Sequence, residues 1–281
     1  MSTKPARDAS ESISSVHGGS DLSVRLAKKW RKSQEIVLPF GVIALLFVVW
    51  DLSIRLFSIP VYLLPSPGQI LAVLWEQRAQ VLVHTEATLF TILAGFLLSI
   101  VTAIPIAAVL TLSTLGRAAI YPLLVLSQSI PKVALAPILV LLLGTNVLPK
   151  IIITFLIAFF PLVISTAAGL AATPAELLEL GRSLKANRMK ELFRIRLPYA
   201  IPFLFSGLKM AITLSVIGAV VGEFVAADQG LGYLMTSALA FFNTPLGYGA
   251  IVVLSLLAII LFQIVCLIER VFFPWSLRMQ N

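Results

Sequence analysis

The chain is poor in the residues that build catalytic sites, metal sites and disulfides. It has one cysteine, two histidines and only 13 acidic residues in a length of 281. A single cysteine cannot form an intrachain disulfide, so Cys266 is predicted to be a small core residue. His17 and His84 lack the spacing of metal ligands, and no glycine-rich loop ends in Lys-Ser or Lys-Thr to bind the phosphates of ATP. We therefore predict that the chain has no catalytic site, no bound metal or cofactor and no ATPase of its own.

Charge is scarce and long apolar runs are abundant. Charged residues make up 12% of the chain, against about 25% in soluble domains. Hydrophobic residues make up 59%, and the mean hydropathy is +0.99. A membrane-spanning helix needs about 20 mostly apolar residues. We therefore predict an all-α integral membrane protein with about six transmembrane helices, at Ile36–Phe57, Thr85–Leu112, Arg117–Leu143, Leu148–Ala172, Tyr199–Val225 and Gly247–Phe273.

Basic residues are distributed unevenly between the loops, and they account for the net charge of +8. They precede the first run, fill the segment 173–202 and follow the last run, whereas the opposite loops carry only Arg55, Arg78 and Lys150. Because short loops rich in Lys and Arg stay on the cytoplasmic side, both termini are predicted to be cytoplasmic. Residues 60–80 are then external and are predicted to contain a short helix. No basic patch interleaved with aromatic residues indicates nucleic-acid binding.

The first 35 residues contain no apolar core of the kind that a cleavable signal has. Met1–Asp21 is rich in Ser, Gly and mixed charges and is predicted to be disordered. Trp30 and its basic neighbours are expected to anchor at the inner membrane interface.

The segment from Thr173 to Pro202 is charged although it lies between two apolar runs. Thr173 is predicted to be the N-cap of a helix, with Pro174 in the first position and Glu176 completing a capping box. The helix would place four residues on one face: Leu177, Leu180, Gly181 and Leu184.

A second short helix is predicted at 188–195, with Asn187 as its cap, and Pro198 and Pro202 are expected to end it before the next span. The pattern fits either an amphipathic loop in the headgroup layer or a docking surface for a soluble partner.

At this segment the chain resembles the membrane subunits of ABC importers. Glu179, Ile195, Leu197 and Pro198 match the loop of that family that reads E-A-A, three residues, Gly, nine residues and I-x-L-P. In the family this loop forms the coupling helices that dock on the ATPase. The resemblance implies an ATPase-coupling role for Glu176, Glu179, Gly181, Arg182, Lys185, Ala186 and Arg188.

Two positions depart from the family loop. Leu180-Gly181 replaces its small pair, and Lys185 stands where the family has Gly. A left-handed turn at Lys185 would cost about 1–2 kcal/mol more than at Gly, so we expect the turn to shift to Asn187.

The resemblance extends over residues 84–275 and is greatest to the branch that serves nitrate, sulfonate, taurine, bicarbonate and pyrimidine-type substrates. It includes ILAGFLLS, QSIPKVALAPILVLLLG, GEFVAADQGLGYL and ERVFFPW. It implies a cytoplasmic tail at 1–35, a first span with an external segment at 36–83, a type I importer-like transmembrane domain at 84–275 with the coupling loop at 173–196, and a cytoplasmic tail at 276–281.

The same resemblance implies the partners and the location of the chain. The partners would be two ATP-binding cassette subunits that bind ATP and Mg²⁺, a second permease chain, expected to form a homodimer, a periplasmic or membrane-anchored substrate-binding protein, and membrane lipid. The location would be the bacterial inner membrane.

Polar residues within the apolar runs indicate where a solute could pass. Ionisable groups at membrane depth usually face a cavity or pathway. Lys132 lies between Pro131 and Pro137, shortly after a run of three polar residues. Lys132 either attracts an anion or bonds the loosened carbonyls of its own broken helix. The predicted pathway residues are Ser127, Gln128, Ser129, Lys132 and Ser215.

The outer end of the fifth run is a second candidate site. Glu223, Gly230 and Gly232 are predicted to form an external gate by the resemblance, although an interfacial Glu that ends a helix fits equally well. Small residues between Ser206 and Gly222 permit close helix contact and either line the path or pack. Lys209 is expected to snorkel to the cytoplasmic face, with no role.

These observations together predict the permease subunit of an ATP-driven ABC importer for a small anionic solute. A small heterocycle is the alternative substrate. The alternative classes are a self-contained secondary carrier or channel, for which no internal repeat is visible, and a non-transporting membrane scaffold.

Overall fold

The computed structural model describes Leu38, residues 41–225 and residues 227–278. Within these ranges every regular element is helical, which confirms the predicted all-α class. Contacts divide the chain into two units, Met1–Pro60 and Val61–Asn281. The predictions for Met1–Asp21 and Trp30 lie outside the described residues.

The first unit contains helix α1, residues 41–56, whose apolar side chains are largely exposed. Asp51 and Arg55 form an ion pair of 2.8 Å along the same face of this helix. An apolar exposed surface suits a lipid environment, and α1 lies within the first predicted span.

The second unit contains the remaining helices. In chain order they are α2 (Pro67–Glu76), α3 (Arg78–Leu112), α4 (Thr114–Gln128), a 3₁₀ turn (Lys132–Leu135), α5 (Ala136–Leu143), α6 (Val147–Ala171), α7 (Ala175–Ser183), α8 (Arg188–Glu191), a π-turn (Leu192–Arg196), α9 (Leu197–Val225), α10 (Leu231–Ala240), α11 (Thr244–Phe272) and α12 (Pro274–Arg278). The short helix predicted within 60–80 is α2, and Ser66 and Gln69 form its capping box.

Four helical stretches among the described residues are long and apolar enough to cross a membrane. They are Arg78–Leu112, Val147–Ala171, Arg188–Val225 and Thr244–Phe272. They confirm the second, fourth, fifth and sixth predicted spans, with ends that differ by several residues.

The third predicted span, Arg117–Leu143, is not one straight helix. Its two parts, Ala118–Gln128 and Lys132–Leu143, meet at an angle of 84°. Pro131 cannot donate a backbone hydrogen bond and has an extended ψ of 92°. The chain therefore leaves the helix at Ser129 and resumes as a 3₁₀ turn at Lys132.

The prolines at the base of α9 do not separate it from the preceding helix, contrary to the sequence prediction. Arg188–Val225 runs as one helical stretch of 38 residues, in which Leu192–Arg196 is a π-turn. Pro198 lacks an N–H and would leave the carbonyl four residues earlier unpaired in a regular α-helix. The wider π-turn lies at that point and lets the helix continue.

Helices α6 and α9 pack closely along their length through glycines. A Cβ at Gly218 would lie 2.7 Å from the Thr154 Cα, and a Cβ at Gly222 would lie 3.0 Å from the Lys150 Cα. The two helix backbones can approach so closely only because Gly218 and Gly222 have no side chains. The small residues of α9 therefore pack against α6 at these positions.

A buried ion pair joins α9 to α11 and replaces the snorkelling predicted for Lys209. The Lys209 Nζ lies 2.5 Å from Glu269 Oε2, and Glu269 is fully buried. The other oxygen of Glu269 accepts a hydrogen bond of 2.7 Å from Ser276 on α12. The carboxylate is thus held between a cation and a hydroxyl inside the helix bundle.

We expect Glu269→Gln to destabilise the protein strongly, because Lys209 would keep its charge without a partner. Breaking a buried pair on one side costs about 3–5 kcal/mol, whereas replacing both partners is often close to neutral. The double variant Lys209→Met with Glu269→Gln should therefore recover most of the loss. Thermal unfolding in detergent of the two single variants and the double variant measures the coupling, and additive effects would contradict it.

Candidate functional site

The segment between α6 and α9 forms a structured surface, but it does not begin as the sequence predicted. Thr173 is buried, and its hydroxyl donates to the Leu170 carbonyl at 3.2 Å instead of capping α7. The residue that precedes α7 is Pro174, which makes no side-chain cap. The capping box with Glu176 is therefore wrong, because the Thr173 hydroxyl closes the end of α6. Glu176 lies in the first turn of α7, where a negative charge is stabilised by the helix dipole.

The turn after α7 is at Lys185 and not at Asn187. Lys185 has φ of +55°, whereas Asn187 has φ of −78°. The Ala186 N–H donates to the Gly181 carbonyl and the Lys185 N–H to the Arg182 carbonyl, each at 2.9 Å. These two bonds are the Schellman pattern that ends a helix with one left-handed residue.

Asn187 has the capping role that the sequence predicted. Its side chain accepts a hydrogen bond of 2.8 Å from the Lys190 N–H at the start of α8. Helix α8 then enters the π-turn and α9 without interruption.

An apolar groove of about 450 Å³ lies beneath α7. The four residues predicted to share a face, Leu177, Leu180, Gly181 and Leu184, all line it together with Ile195. A Cβ at Gly181 would lie 2.5 Å from the Ile195 Cδ1, so Gly181 allows α7 to approach the base of α9. Trp275 of α12 also lines the groove.

A partly buried ion pair fixes α8 to the end of α6. Arg196 contacts Glu191 through Nε at 2.8 Å and through a terminal nitrogen at 2.7 Å. Its other terminal nitrogen donates to the Leu170 carbonyl at 3.1 Å. Neither residue of this pair was predicted from the sequence to have a role.

The exposed surface of α7, α8 and the adjoining π-turn, which we call the α7–α8 surface, is mainly cationic. Arg182, Lys185 and Arg188 are exposed, as are Lys190 and Arg194. Glu179 is exposed among them, and the Ser183 hydroxyl donates to its carbonyl at 3.0 Å. Five cations and the two exposed carboxylates of α7 give this face a net positive charge.

A buried polar cluster, which we call the outer knot, joins α3 to the corner between α9 and α10. It consists of Glu223, Thr88, His84 and the backbone of residues 230–232. Glu223 accepts hydrogen bonds from the Thr88 hydroxyl and the Gly232 N–H, each at 2.7 Å. Thr88 in turn accepts from the Leu231 N–H at 2.7 Å. The predicted gate residues are therefore brought together, and Glu223 is buried within the protein at 2% exposure.

The two glycines of the knot are required by their geometry. Gly230 has φ of +123°, and a Cβ there would collide with the Glu223 carboxylate. A Cβ at Gly232 would lie 2.9 Å from Glu223 Oε2. Side chains at either position would push the carboxylate away from its donors.

His84 and Thr88 were not predicted as members of this cluster. The His84 Nδ1 accepts from the Gly230 N–H at 3.1 Å, and its ring contacts that of Tyr233 at 5.8 Å. The two residues are four apart on α3 and therefore share a helix face. Two polar residues at this spacing in an apolar helix were the signal that could have identified them.

Lys132 lies at the break between α4 and α5, with its ammonium over the ring of Phe160 at 4.7 Å. A cation–π contact is worth about 0.5–2 kcal/mol. A lysine at the centre of a spanning helix costs about 2.5–3.5 kcal/mol on insertion scales. The ring therefore offsets only part of the cost of this charge.

The other predicted pathway residues occupy different positions. Gln128 and Ser129 are exposed beside Lys132 at the break, and the Ser127 hydroxyl donates to the Leu124 carbonyl at 2.8 Å. Ser215 is fully buried on α9, where its hydroxyl donates to the Ala211 carbonyl at 2.8 Å. Their place in a pathway stays a prediction.

A second cavity, of about 410 Å³, lies between the ends of α3, α4 and α6. Tyr121, Thr111 and Arg196 supply its polar lining. No cluster of three or more possible metal ligands occurs in the described part of the chain.

Residues 103–276 match the family described as the binding-protein-dependent transport system inner membrane component. The formylaminopyrimidine transport permease protein ThiX of Halalkalibacterium halodurans is 36% identical over 246 residues, which cover 87% of this chain and 98% of that protein. The riboflavin transport system permease protein RibX of Chloroflexus aurantiacus is 36% identical over 83% of this chain and 87% of that protein. The taurine transport system permease protein TauC of Escherichia coli is 28% identical over 92% and 96%.

Solved structures show a similar fold. An inward-facing structure of the MetNI methionine ABC transporter matches with a TM-score of 0.61 at 21% identity, covering 68% of this chain and 95% of that chain.

We expect Lys185→Gly to stabilise the turn after α7 by about 1 kcal/mol, because glycine takes a positive φ without the cost of a Cβ. The matched control is Arg182→Gly, which places glycine in the last turn of α7 and should destabilise it by about 1 kcal/mol. Hydrogen–deuterium exchange of residues 175–191 measures both effects. Faster exchange in both variants would contradict the strain at Lys185.

We expect Thr88→Val to loosen the corner between α9 and α10. The change leaves the Leu231 N–H and one oxygen of Glu223 unpaired, at about 1–3 kcal/mol for each group. Thr88→Ser should retain most of the stability. Thr91→Val is the control on the same helix, because the Thr91 hydroxyl donates only to the Ala87 carbonyl of its own helix. Thermal unfolding of the three variants tests this, and equal losses for Thr88→Val and Thr91→Val would disprove it.

Proposed function

The chain belongs to the binding-protein-dependent transport inner-membrane component family, and from this membership and the surface of α7 and α8 we propose how it works in an assembled importer. It is the membrane-spanning permease subunit of an ABC importer and a multi-pass membrane protein. This membership replaces the carrier, channel and scaffold alternatives.

The proposed partner of the α7–α8 surface is a soluble ATPase subunit. The surface is rigid because the Schellman turn, the Asn187 cap and the pair of Arg196 with Glu191 fix it to α6 and α9. It is also cationic and carries exposed apolar side chains, such as Leu184 and Met189. The single observation that carries the proposal is that this surface continues directly into the spanning helix α9. A displacement at the surface therefore moves a spanning helix.

The assembly that we propose contains two copies of the permease and two ATPase subunits. ATP and Mg²⁺ bind to the ATPase subunits, which hydrolyse ATP, and the permease itself has no catalytic role. A substrate-binding protein delivers the solute to the external side, where the outer knot forms part of the gate. Both termini and the α7–α8 surface then lie in the cytoplasm, and the chain lies in the bacterial inner membrane.

The names of the relatives indicate the kind of solute. Their names refer to formylaminopyrimidine, riboflavin and taurine. We therefore propose that this permease carries a small solute, as the names of these relatives indicate for their own systems.

We expect Glu179→Lys and Gly181→Leu to uncouple the permease from the ATPase. Glu179→Lys reverses an exposed charge on the docking face, and Gly181→Leu forces α7 away from Ile195. The first measurement is co-purification with the untagged ATPase, and the second is ATP hydrolysis stimulated by the binding protein in proteoliposomes. Each should decrease at least tenfold, equivalent to about 1.4 kcal/mol of coupling.

The matched control is Glu76→Lys, the same charge reversal on the exposed surface of α2. It should retain the ATPase, because α2 is predicted to lie on the external side, away from the α7–α8 surface. Normal co-purification and stimulated hydrolysis in Glu179→Lys and Gly181→Leu would disprove the docking assignment.

A further inference from the structure

Three lysines lie within the apolar stretches of the spanning segments, and they differ in their relation to carboxylates. Lys209 pairs with Glu269 at 2.5 Å. Lys150 is buried at the start of α6 and interacts electrostatically with the Glu223 carboxylate. Lys132 differs: across the described residues its ammonium has only the ring of Phe160 as a contact partner. None of the described residues therefore neutralises its positive charge.

The position of Lys132 makes that charge significant. Eleven residues of the broken span precede the break, at Ala118–Gln128, and twelve follow it, at Lys132–Leu143. Whether the two arms cross the membrane or re-enter it, the break then lies near the middle of the hydrocarbon layer.

Exposed polar side chains occur at the break among exposed apolar ones such as Ile130 and Val133. Gln128 and Ser129 are exposed there, and Lys132 is half-buried. Irregular backbone and polar side chains at membrane depth occur where protein or water covers them, and not against lipid. The alternative role, in which Lys132 bonds the loosened carbonyls of its own helix, requires hydrogen bonds from its Nζ. None is formed in the described part of the chain.

We propose that the Lys132 ammonium binds the anionic group of the transported solute as it passes the break between α4 and α5. This inference rests on the proposed function, and it selects a small anion, such as a sulfonate or carboxylate, over an uncharged heterocycle. The Phe160 ring contacts the ammonium. Lys132 stays partly exposed, and Gln128 and Ser129 are exposed at the same break, so in this proposal the anion meets the ammonium there.

The test measures the electrostatic potential at the break with small charged probes. Ser129→Cys is introduced together with Cys266→Ala, and the permease is reconstituted with its ATPase in proteoliposomes. The introduced thiol is reacted with sulfonatoethyl methanethiosulfonate, which is anionic and itself an alkyl sulfonate, and with the trimethylammonium analogue, which is cationic. The ratio of the anionic rate to the cationic rate reports the local potential independently of transport.

We expect Lys132→Met to lower this ratio about tenfold or more, because a unit charge within several ångströms contributes at that level in a partly water-filled site. Lys132→Arg should preserve the ratio. The matched control is Gln229→Cys in the loop before α10, where Lys132→Met should leave the ratio unchanged. If Lys132→Met does not assemble, Lys132→Gln takes its place.

Two results would overturn the inference. One is an unchanged ratio at Ser129→Cys after removal of the lysine. The other is a lack of reaction with both reagents at Ser129→Cys and also at Gln128→Cys, which would mean that water does not reach the break. Either result in a complex that retains its ATPase and hydrolyses ATP contradicts only the role of Lys132. Failure of the unmodified permease to retain an ATPase would instead contradict the proposed function.

Discussion

The close contact between α6 and α9 is the constraint on which the other features of the second unit depend. Gly218 and Gly222 let the two backbones approach to distances that a side chain would prevent. This contact places Lys150 beside Glu223 at one end of α9. Towards the other end it places Arg196 within reach of the Leu170 carbonyl. In an apolar environment helices gain little from burying more apolar surface, so small residues and internal hydrogen bonds decide which helices associate.

The polar groups between the helices follow the same physical rule. A charge removed from water must be paired and hydrogen-bonded within the protein. Glu269 and Glu223 both satisfy this rule, the first through Lys209 and Ser276 and the second through Thr88 and a backbone N–H. Each carboxylate joins α9 to a different neighbour, so the two clusters fix α9 at different heights. Lys132 departs from the rule, and this departure distinguishes it from the lysines that only hold helices together.

The helices could be predicted from the sequence because their signal is local. Long apolar runs gave the spanning segments, and an Asn before a charged turn gave the start of α8. The failures arose where two local preferences competed. The Thr173 hydroxyl could bond a carbonyl at the end of α6 or cap the start of α7, and in its buried position it bonds the Leu170 carbonyl of α6. At Lys185 the cost of a left-handed residue, about 1–2 kcal/mol, is matched by two backbone hydrogen bonds that are worth about 0.5–1.5 kcal/mol each.

Contacts between residues distant in sequence could not be predicted in this way. Lys209 alone reads as a snorkelling lysine, because nothing nearby in sequence reveals that Glu269 reaches it from α11. The outer knot was predicted in part, since its glycines and Glu223 are close in sequence. Thr88 is 135 residues away from Glu223 and was missed. Family resemblance identified the surface of α7 and α8, and the structure added the bonds that make this surface rigid.

Because the stretch from Arg188 to Val225 is continuous, helix α8 of the surface and Glu223 of the outer knot belong to one helix. At 1.5 Å per residue, its 38 residues extend about 57 Å. The π-turn is the irregular point in this helix, and a π-turn is a place where a helix can deform. The pair of Arg196 with Glu191 spans that turn, and its bond to the Leu170 carbonyl also ties the turn to α6. In the proposed mechanism these bonds share a push on α8 between α6 and α9. The displacement of the α7–α8 surface is then carried to the Glu223 end of the helix, where α9 meets α3 and α10.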